Sequence, residues 1–391
     1  MVVKPKIRGF ICTTAHPDGC AENVKRQINF IKSKPKFHCK KNILIIGCST
    51  GYGLASRIAC AFGGDASTIG VMFERPATKK RTATSGWYNT AAFEKMATHH
   101  NIYAKTINGD AFSQDIKNKV IDIIKSDLGK VDMVIYSLAA PKRTMPDSTK
   151  VSSVLKTIGK EYTNKTIDLS SNTLEEVTIP CANEQEIEDT VKVMGGEDWK
   201  DWIIALKKAN AISDDAITVA YSYVGPEITF PIYSEGTIGM AKNHLLQTAN
   251  EITNTMGGIK AYISINKALV TQSSAAIPIV PLYITILYKI MKEHKLHEGC
   301  IEQMYRLFGE KFDGGLNFDE KGRIRLDDYE MKIDIQQKVL DVWKSINNDN
   351  INELADIDGY WEDFYKMFGF NFSDINYDKD VDIEVSIPSI N

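Results

Sequence analysis

One segment near the N-terminus restricts the fold more than any other part of the chain. Residues 42–46 form a short, continuous apolar run, as expected for a strand buried on both faces of a parallel sheet. Gly47, Gly51 and Gly53 follow, and residues 54–62 then place apolar side chains three and four positions apart. This order of strand, glycine turn and helix predicts the first unit of a parallel α/β sheet.

Further apolar runs recur at the spacing of alternating strands and helices. They comprise residues 68–73, 101–107, 131–138, 216–223 and 260–266. Helical segments separate most of them, so that each strand is expected to lie parallel to its neighbours. The pattern therefore predicts an α/β fold with a doubly wound parallel sheet of the Rossmann type.

The composition excludes several other classes of protein. Lys and Arg number 47 against 50 Asp and Glu in 391 residues, without a basic run for a nucleic-acid backbone. The seven cysteines form no CxxC pair, and no ligand cluster predicts a metal site. The uncharged segment 268–288 is interrupted by Pro278 and Pro281, leaving too short an apolar helix to span a membrane. Without a visible signal peptide, the expected location is the cytoplasm.

The glycine turn is a candidate site for a pyrophosphate. Glycines let the backbone turn tightly and expose amide N–H groups at the start of a helix, where the helix dipole favours an anion. The spacing is Gly-x3-Gly-x-Gly rather than the Gly-x-Gly-x-x-Gly of the usual fingerprint. Taken alone, such a turn serves packing as often as binding, but the strand before it and the helix after it favour binding.

Residues at the ends of the next strands extend this candidate site. Glu74 follows the second apolar run and could accept hydrogen bonds from the adenosine ribose, which favours NADH over NADPH. The alternative is a solvated glutamate at a strand end, and the adjacent Arg75 leaves that alternative open. Asp110 and Ala111 could hold the adenine edge, and Leu138 and Ala139 the nicotinamide ribose, because ligands bind at the carboxyl ends of such strands.

A tyrosine and a lysine stand out in the second half of the chain. Lys242 falls on the apolar stripe of a predicted helix that starts after Gly236, where an isolated lysine would ordinarily extend its ammonium into water. Tyr233 precedes it by nine residues, or about 900° of helix, which would place the two on opposite faces of one unbroken helix. Tyr233 must therefore lie before the helix if the two side chains are to act together.

These motifs resemble those of the trans-2-enoyl-CoA reductases and the related single-chain enoyl-acyl carrier protein reductases. The similarity rests on the glycine turn, on Tyr-x8-Lys in place of the shorter Tyr–Lys spacing of short-chain dehydrogenases, and on the segment Leu269-Val-Thr-Gln-Ser-Ser-Ala-Ala-Ile-Pro278. It extends over essentially the whole chain. The combination of the glycine turn with this Tyr–Lys spacing is specific, whereas neither feature alone would be.

The resemblance implies a monomeric Rossmann-type enzyme that reduces the carbon–carbon double bond of a 2-enoyl thioester with NADH. It implies that Tyr233 donates a proton, that Lys242 binds the nicotinamide ribose and that Tyr223 touches the thioester. A nearby lysine cation is expected to lower the pKa of the tyrosine. The residues expected to contact NADH, besides Lys242, are Gly47, Cys48, Ser49, Thr50, Gly51, Tyr52, Phe73, Glu74, Asp110, Ala111, Leu138, Ala139, Leu269, Val270 and Thr271.

A single Rossmann-type domain is expected to span residues 1–391. Polar sequence interrupts the strand and helix rhythm after residue 142, where we expect an insertion that shapes the substrate pocket. The predicted parts are an N-terminal lead-in (1–40), a dinucleotide-binding half (41–142), a substrate-side insertion (143–215), a catalytic Tyr/Lys segment with a substrate helix (216–295) and a helical C-terminal extension (296–391).

Three other hypotheses remain open at this stage. The same reaction on an acyl carrier protein thioester would use the same residues, so these residues do not decide between the two carriers. A carbonyl-reducing dehydrogenase of the same fold is disfavoured by the long Tyr–Lys spacing. A module that binds a dinucleotide without turnover would be expected to lack the tyrosine or the lysine. The sequence does not specify the acyl-chain length or the pathway.

Overall fold

The computed structural model describes residues 1–9 and 11–390, and a parallel sheet of seven strands lies at its centre. The strands are β1 (Asn42–Ile46), β2 (Ser67–Met72), β3 (Ala104–Asn108), β4 (Val131–Tyr136), β5 (Ile212–Ser222), β6 (Lys260–Ile265) and β7 (Ile324–Arg325). Across the sheet the order is β7-β6-β5-β4-β1-β2-β3, and all neighbouring pairs are parallel. This is the order of a doubly wound sheet with one further strand at its edge, which confirms the predicted fold class.

Helices cover both faces of this sheet. The helices are α1 (Pro17–Lys32), α2 (Gly51–Gly63), α3 (Ser85–His99), α4 (Gln114–Ile123), α5 (Glu184–Met194), α6 (Glu197–Lys208), α7 (Thr237–Thr255), α8 (Val280–Glu293), α9 (Cys300–Tyr305), α10 (Ile333–Ser345), α11 (Ile351–Leu354) and α12 (Ile357–Met367). Helices α1, α2, α3 and α9 pack with one face, whereas α4, α6 and α7 pack with the other. None of the described helices is both long and apolar enough to cross a bilayer.

The continuous apolar run of β1 follows from its burial on two sides. Ile43 and Ile45 belong to the core on one face of the sheet, and Leu44 and Ile46 to the core on the other. All four side chains are fully buried. A strand covered by helices on both faces cannot alternate apolar and polar residues, which is why its apolar run is continuous.

The third strand begins later than the sequence predicts. The apolar run starts at residue 101, but β3 starts at Ala104. Asn101 adopts φ 55°, a left-handed conformation, and the amide of Ile102 returns to the carbonyl of Ala97 at 2.9 Å. Residues 101 and 102 therefore close α3 and cannot extend the strand.

The predicted substrate-side insertion contains two small antiparallel sheets and two helices. In the first sheet Lys142–Thr144 pairs with Lys150–Ser152, and in the second Tyr162–Asp168 pairs with Thr173–Ile179. The second of these hairpins contributes to a third hydrophobic core, which it shares with α8, α10 and α12. This core lies beside the sheet and carries the predicted substrate helix.

The C-terminal extension is only partly helical, so that prediction was incomplete. Residues 313–323 and 368–390 contain no helix, and residues 324 and 325 form the edge strand β7. The last residues follow α3, where the Trp87 indole N–H donates to the Val385 carbonyl at 2.7 Å and the Tyr88 hydroxyl donates to the Ile383 carbonyl at 2.8 Å. In residues 383–385, hydrogen bonds from side chains of α3 to backbone carbonyls take the place of the backbone hydrogen bonds that a helix would make.

Candidate active site

A cavity of about 960 Å³ opens at the carboxyl edge of the parallel strands. All of the residues assigned to a site from the sequence line it, except Cys48. The Cys48 side chain is fully buried and lies 3.8 Å from Nη1 of Arg57, and its burial raises the pKa of the thiol to about 11. The backbone of Cys48 belongs to the glycine turn, but its side chain points into the core.

The glycine turn is built around close backbone contacts. Gly47 has φ 84°, and a Cβ atom there would lie 2.6 Å from the Ser137 carbonyl oxygen at the end of β4. A Cβ atom on Gly53 would lie 1.8 Å from the Gly47 carbonyl oxygen. Larger residues would therefore push the turn away from β4 and change the start of α2.

The first turn of α2 offers unpaired amide groups to the cavity. The helix begins at Gly51, and the Thr50 side chain makes no capping hydrogen bond. Asn89 lies beside this turn, donates to the Ser49 carbonyl at 3.1 Å, and keeps its buried Oδ1 without a partner among the described residues. Open amides at a helix N-terminus and an unsatisfied acceptor fit the pyrophosphate and a hydroxyl group of a dinucleotide.

Glu74 is held at the rim of the cavity by hydrogen bonds. The Ser49 hydroxyl donates to Glu74 Oε1 at 2.6 Å, and the Asn108 side chain binds both the amide and the carbonyl of Glu74 at 2.8 and 2.9 Å. A Cβ atom on Gly86 would lie 2.0 Å from Oε1, so only glycine leaves room for the carboxylate. The ring of the neighbouring Phe73 is 78% exposed and forms part of the same rim.

A buried ion pair between Lys117 and Asp198 fixes the loop after β3. Lys117 Nζ donates to the carbonyls of Ala111 and Phe112 at 3.2 and 3.0 Å and to the Asp198 carboxylate at 2.7 Å. The Tyr136 hydroxyl donates to the other Asp198 oxygen at 3.0 Å. Asp198 was not assigned from the sequence, because its helix has the charge pattern of an exposed one.

Lys242 reaches the cavity from α7, as its position on the apolar stripe predicts. Its ammonium group donates to the Tyr221 carbonyl at 3.2 Å and has no carboxylate within 4 Å among the described residues. Burial lowers the pKa of Lys242 to about 8. The cation is therefore only weakly compensated by the protein and is available to hydroxyl groups in the cavity.

Tyr233 lies in the turn that precedes α7, so its ring reaches the same cavity as Lys242. No hydrogen bond from its hydroxyl to a described residue is present. Burial raises the pKa of this hydroxyl, and the expectation that Lys242 lowers it is wrong, because desolvation is the cause that acts here. The Tyr223 ring packs edge-on against the Tyr233 ring, with centroids 4.9 Å apart.

The segment after β6 lines the same cavity as these two tyrosines. Leu269, Val270 and Thr271 line the cavity, and the Ser274 hydroxyl donates to the Leu269 carbonyl at 2.6 Å. Sequence reasoning missed the carboxylate of Glu330, which accepts the Tyr223 hydroxyl at 3.0 Å and the Ala268 amide at 2.7 Å. Glu330 follows Asp327 and Asp328 in the sequence, and no local pattern marks it as buried.

The described residues contain no cluster of three or more His, Cys, Asp or Glu side chains that could hold a metal ion. The arrangement instead brings together a glycine turn, a carboxylate at the end of β2, and a neutral tyrosine beside a lysine. On a doubly wound parallel sheet, this set defines an oxidoreductase that binds a dinucleotide.

The chain belongs to the trans-2-enoyl-CoA reductase family. A family model described as the trans-2-enoyl-CoA reductase catalytic region matches residues 81–312, and one described as the NAD(P)H binding domain of trans-2-enoyl-CoA reductase matches residues 2–79. The chain is 55% identical to a trans-2-enoyl-CoA reductase [NADH] of Ruminiclostridium cellulolyticum, with 100% of both chains covered. It is also 55% identical to an enoyl-[acyl-carrier-protein] reductase [NADH] of Flavobacterium johnsoniae, again with 100% of both covered.

Solved structures agree with this assignment. The trans-2-enoyl-CoA reductase of Clostridium acetobutulicum in complex with NADH matches with a TM-score of 0.96 and 43% identity, covering 100% of both chains. The Treponema denticola trans-2-enoyl-CoA reductase in complex with NAD matches with a TM-score of 0.94 and 46% identity, covering 97% of this chain and 98% of the other.

A third family model, described as an enoyl reductase FAD binding domain, matches residues 318–381. In the described part of this segment, β7 is followed by α10, α11 and α12, and no strand passes through a glycine turn into a helix. That turn is what holds the pyrophosphate of a dinucleotide in Rossmann-type folds. The residues of this segment therefore do not fit a flavin dinucleotide of that kind.

Proposed function

We propose that this protein reduces the C2–C3 double bond of a trans-2-enoyl-CoA to the saturated acyl-CoA, with NADH as the reductant. The observation that carries the proposal is that Tyr233 and Lys242 open onto the same cavity as the glycine turn. The full-length similarity to a reductase of this name supports it.

NADH, when bound, supplies the hydride, which adds to C3 of the enoyl group. Negative charge then develops on the thioester oxygen, and a hydroxyl donor placed there stabilises it. Tyr233 suits this role because its hydroxyl is free of protein acceptors among the described residues and its raised pKa keeps it protonated at neutral pH. The proton leaves Tyr233 and ends on C2, and solvent restores the tyrosine.

Lys242 and Glu74 bind and select the cofactor. The ammonium of Lys242 reaches the cavity that Tyr233 also lines and would donate to the hydroxyl groups of the nicotinamide ribose. The carboxylate of Glu74 would accept from the adenosine ribose and repel a 2′-phosphate, which favours NADH. Ser49 keeps that carboxylate in place.

A second candidate substrate is the same enoyl group on an acyl carrier protein. The observation that favours it is the 55% identity to a Flavobacterium johnsoniae relative that is named for this substrate. The residues that would carry the chemistry are the same for both thioesters. The preference for CoA or for acyl carrier protein is therefore determined by residues outside the reacting groups.

The test is NADH oxidation by the purified protein with crotonyl-CoA and with crotonyl-acyl carrier protein at equal concentrations. Faster turnover of the CoA ester supports the first candidate, and faster turnover of the carrier-protein ester supports the second. Acetoacetyl-CoA serves as the carbonyl substrate in a parallel reaction. Turnover of acetoacetyl-CoA without turnover of either enoyl thioester would refute the proposal.

We further propose that the chain acts as a single-domain monomer in the cytoplasm. The continuous sheet, with strands from residue 42 to residue 325, supports one domain across the five predicted parts. The residues proposed for the site line one cavity within this chain. All seven cysteines are free, in keeping with a reducing compartment. Sedimentation equilibrium tests the monomer, and fractionation of the source cells tests the location.

A further inference from the structure

The C-terminal segment 318–381 supplies one acidic side chain that lines the cavity, Asp363, and a second, Glu330, that binds residues lining it. Glu330 lies just before α10 and is fully buried, and Asp363 lies in α12 and lines the cavity. Neither residue belongs to the strand ends that form the cofactor site. Both are connected by hydrogen bonds to the backbone of residues 268–270, directly or through Tyr288. The family resemblance places Leu269, Val270 and Thr271 of this segment in contact with NADH.

Glu330 accepts three hydrogen bonds. Its Oε2 accepts from the Ala268 amide at 2.7 Å, and its Oε1 accepts from the hydroxyls of Tyr223 and Tyr283 at 3.0 and 2.7 Å. The Tyr283 oxygen already accepts from the Gln336 amide at 3.1 Å, so its single proton is directed at Glu330. An ionised carboxylate satisfies all three donors, because it accepts at both oxygens.

Asp363 is connected to the same backbone segment through the hydroxyl of Tyr288. The Tyr288 hydroxyl accepts from the Val270 amide at 3.1 Å and donates to Asp363 Oδ2 at 2.9 Å. The alternate amides of this short segment are thus bound by the two carboxylates, Ala268 directly and Val270 through Tyr288. Lys267 donates to the Ala268 carbonyl at 2.9 Å and provides positive charge between them.

Glu330 also determines where the hydroxyl proton of Tyr223 is directed. A tyrosine hydroxyl has one proton, and that of Tyr223 is directed to the carboxylate. Its ring is held edge-on to the Tyr233 ring at 4.9 Å. Tyr223 therefore supports the ring of Tyr233 and has no proton left for the thioester oxygen.

We propose that Glu330 is a positioning residue that holds the segment 268–271 and the Tyr223–Tyr233 pair in fixed positions relative to each other, and thereby around the reacting atoms. This rests on the proposed function for the identity of those atoms. The residues of the C-terminal segment do not fit a flavin dinucleotide, and this proposal gives the segment a role in the NADH-dependent site instead. It also assigns proton donation to Tyr233 alone.

The first test compares Glu330→Gln with wild type. A glutamine places an NH2 group where the carboxylate has an acceptor, so at least one of its three donors changes partner. We expect kcat with crotonyl-CoA to fall about tenfold or more, because small displacements of positioned groups cost rate steeply. We also expect the fluorescence emission of bound NADH to change, since that emission comes from the nicotinamide and does not depend on turnover.

Asp327→Asn is the matched control. Asp327 is also a fully buried carboxylate, it lies three residues away, and both of its oxygens bind Arg325 at 2.6 Å, away from the cavity. We expect its kcat and its NADH emission to stay near wild type. Equal effects of the two variants, or an unchanged Glu330→Gln enzyme, would overturn the proposal. A wild-type protein that turns over acetoacetyl-CoA but neither crotonyl-CoA nor crotonyl-acyl carrier protein would instead refute the proposed function.

A second variant keeps the proposal testable if Glu330→Gln does not fold. Tyr223→Phe retains the ring that packs on Tyr233 and removes only the hydroxyl that binds Glu330. We expect kcat to fall by less than about tenfold, whereas Tyr233→Phe should lose about a hundredfold or more. Equal losses in the two variants would show that Tyr223 also donates to the thioester, and would overturn the assignment of Tyr233 as the only donor.

Discussion

The affinity for NADH is expected to fall as Lys242 loses its charge. The ammonium group contacts only the Tyr221 carbonyl among the described residues, and its burial lowers the pKa to about 8 in the protein without cofactor. An unperturbed lysine has a pKa of about 10.4 and would stay charged throughout the neutral range. The cation that binds the ribose is therefore present below about pH 8 and is lost as the pH rises through that value.

The size of the effect follows from the pKa. If NADH binds only the charged form, the apparent Kd is the intrinsic Kd multiplied by 1 + 10^(pH − pKa). With a pKa of about 8, the factor is about 1.1 at pH 7 and about 11 at pH 9. We therefore expect about a tenfold weaker affinity at the higher pH, which corresponds to about 1.4 kcal/mol. Tyr233 does not contribute, because burial raises its pKa.

The assay is a titration of NADH fluorescence at several pH values for wild type, Lys242→Met and Lys267→Met. Lys267 is included because its pKa is also lowered to about 8 by burial. The Lys242→Met enzyme should bind NADH weakly at all pH values and show no rise in Kd through about pH 8. A wild-type Kd that does not change with pH would refute the reasoning. A pH dependence that persists in Lys242→Met would assign the titration to Lys267 or another group.

Three further predictions concern the other parts of the site and the core that supports it. Tyr233→Phe should lower kcat by about a hundredfold or more with little change in the Kd of NADH, and stopped-flow rates with separate binding titrations measure both. Glu74→Ala should raise the ratio of NADPH to NADH in kcat/KM by about tenfold or more, because it removes the charge that Ser49 holds in place; an unaltered ratio would contradict this. Glu94→Ala should lower the free energy of unfolding by about 3 kcal/mol, because the buried Arg57 guanidinium loses the carboxylate 3.9 Å away, and urea denaturation measures the loss.

The sheet was largely predictable because its signals are local. A strand with two buried faces must be continuously apolar, and a turn that approaches β4 as closely as Gly47 and Gly53 do must contain glycine. The position of Tyr233 before α7 also followed from the sequence, since the helical repeat excluded the alternative. The start of β3 was missed, because the left-handed Asn101 depends on how α3 ends.

Electrostatic properties of the site could not be predicted in the same way. The presence of Lys242 beside Tyr233 suggested a lowered tyrosine pKa, but the pKa of a buried group depends on the surrounding protein. Burial acts on both side chains, raising the pKa of the tyrosine and lowering that of the lysine. No pattern in the sequence shows either of these two pKa shifts.

The amino-acid sequence by itself determined the parallel sheet, the glycine turn and the residue types that could bind a dinucleotide and donate a proton, because these depend on residues close together in the chain. Only the tertiary structure decided that Glu330 binds Ala268 and Tyr223, residues 62 and 107 positions away. It also decided that the Cys48 side chain faces the core. Contacts between distant residues are set by the packing of whole elements, which no local pattern records.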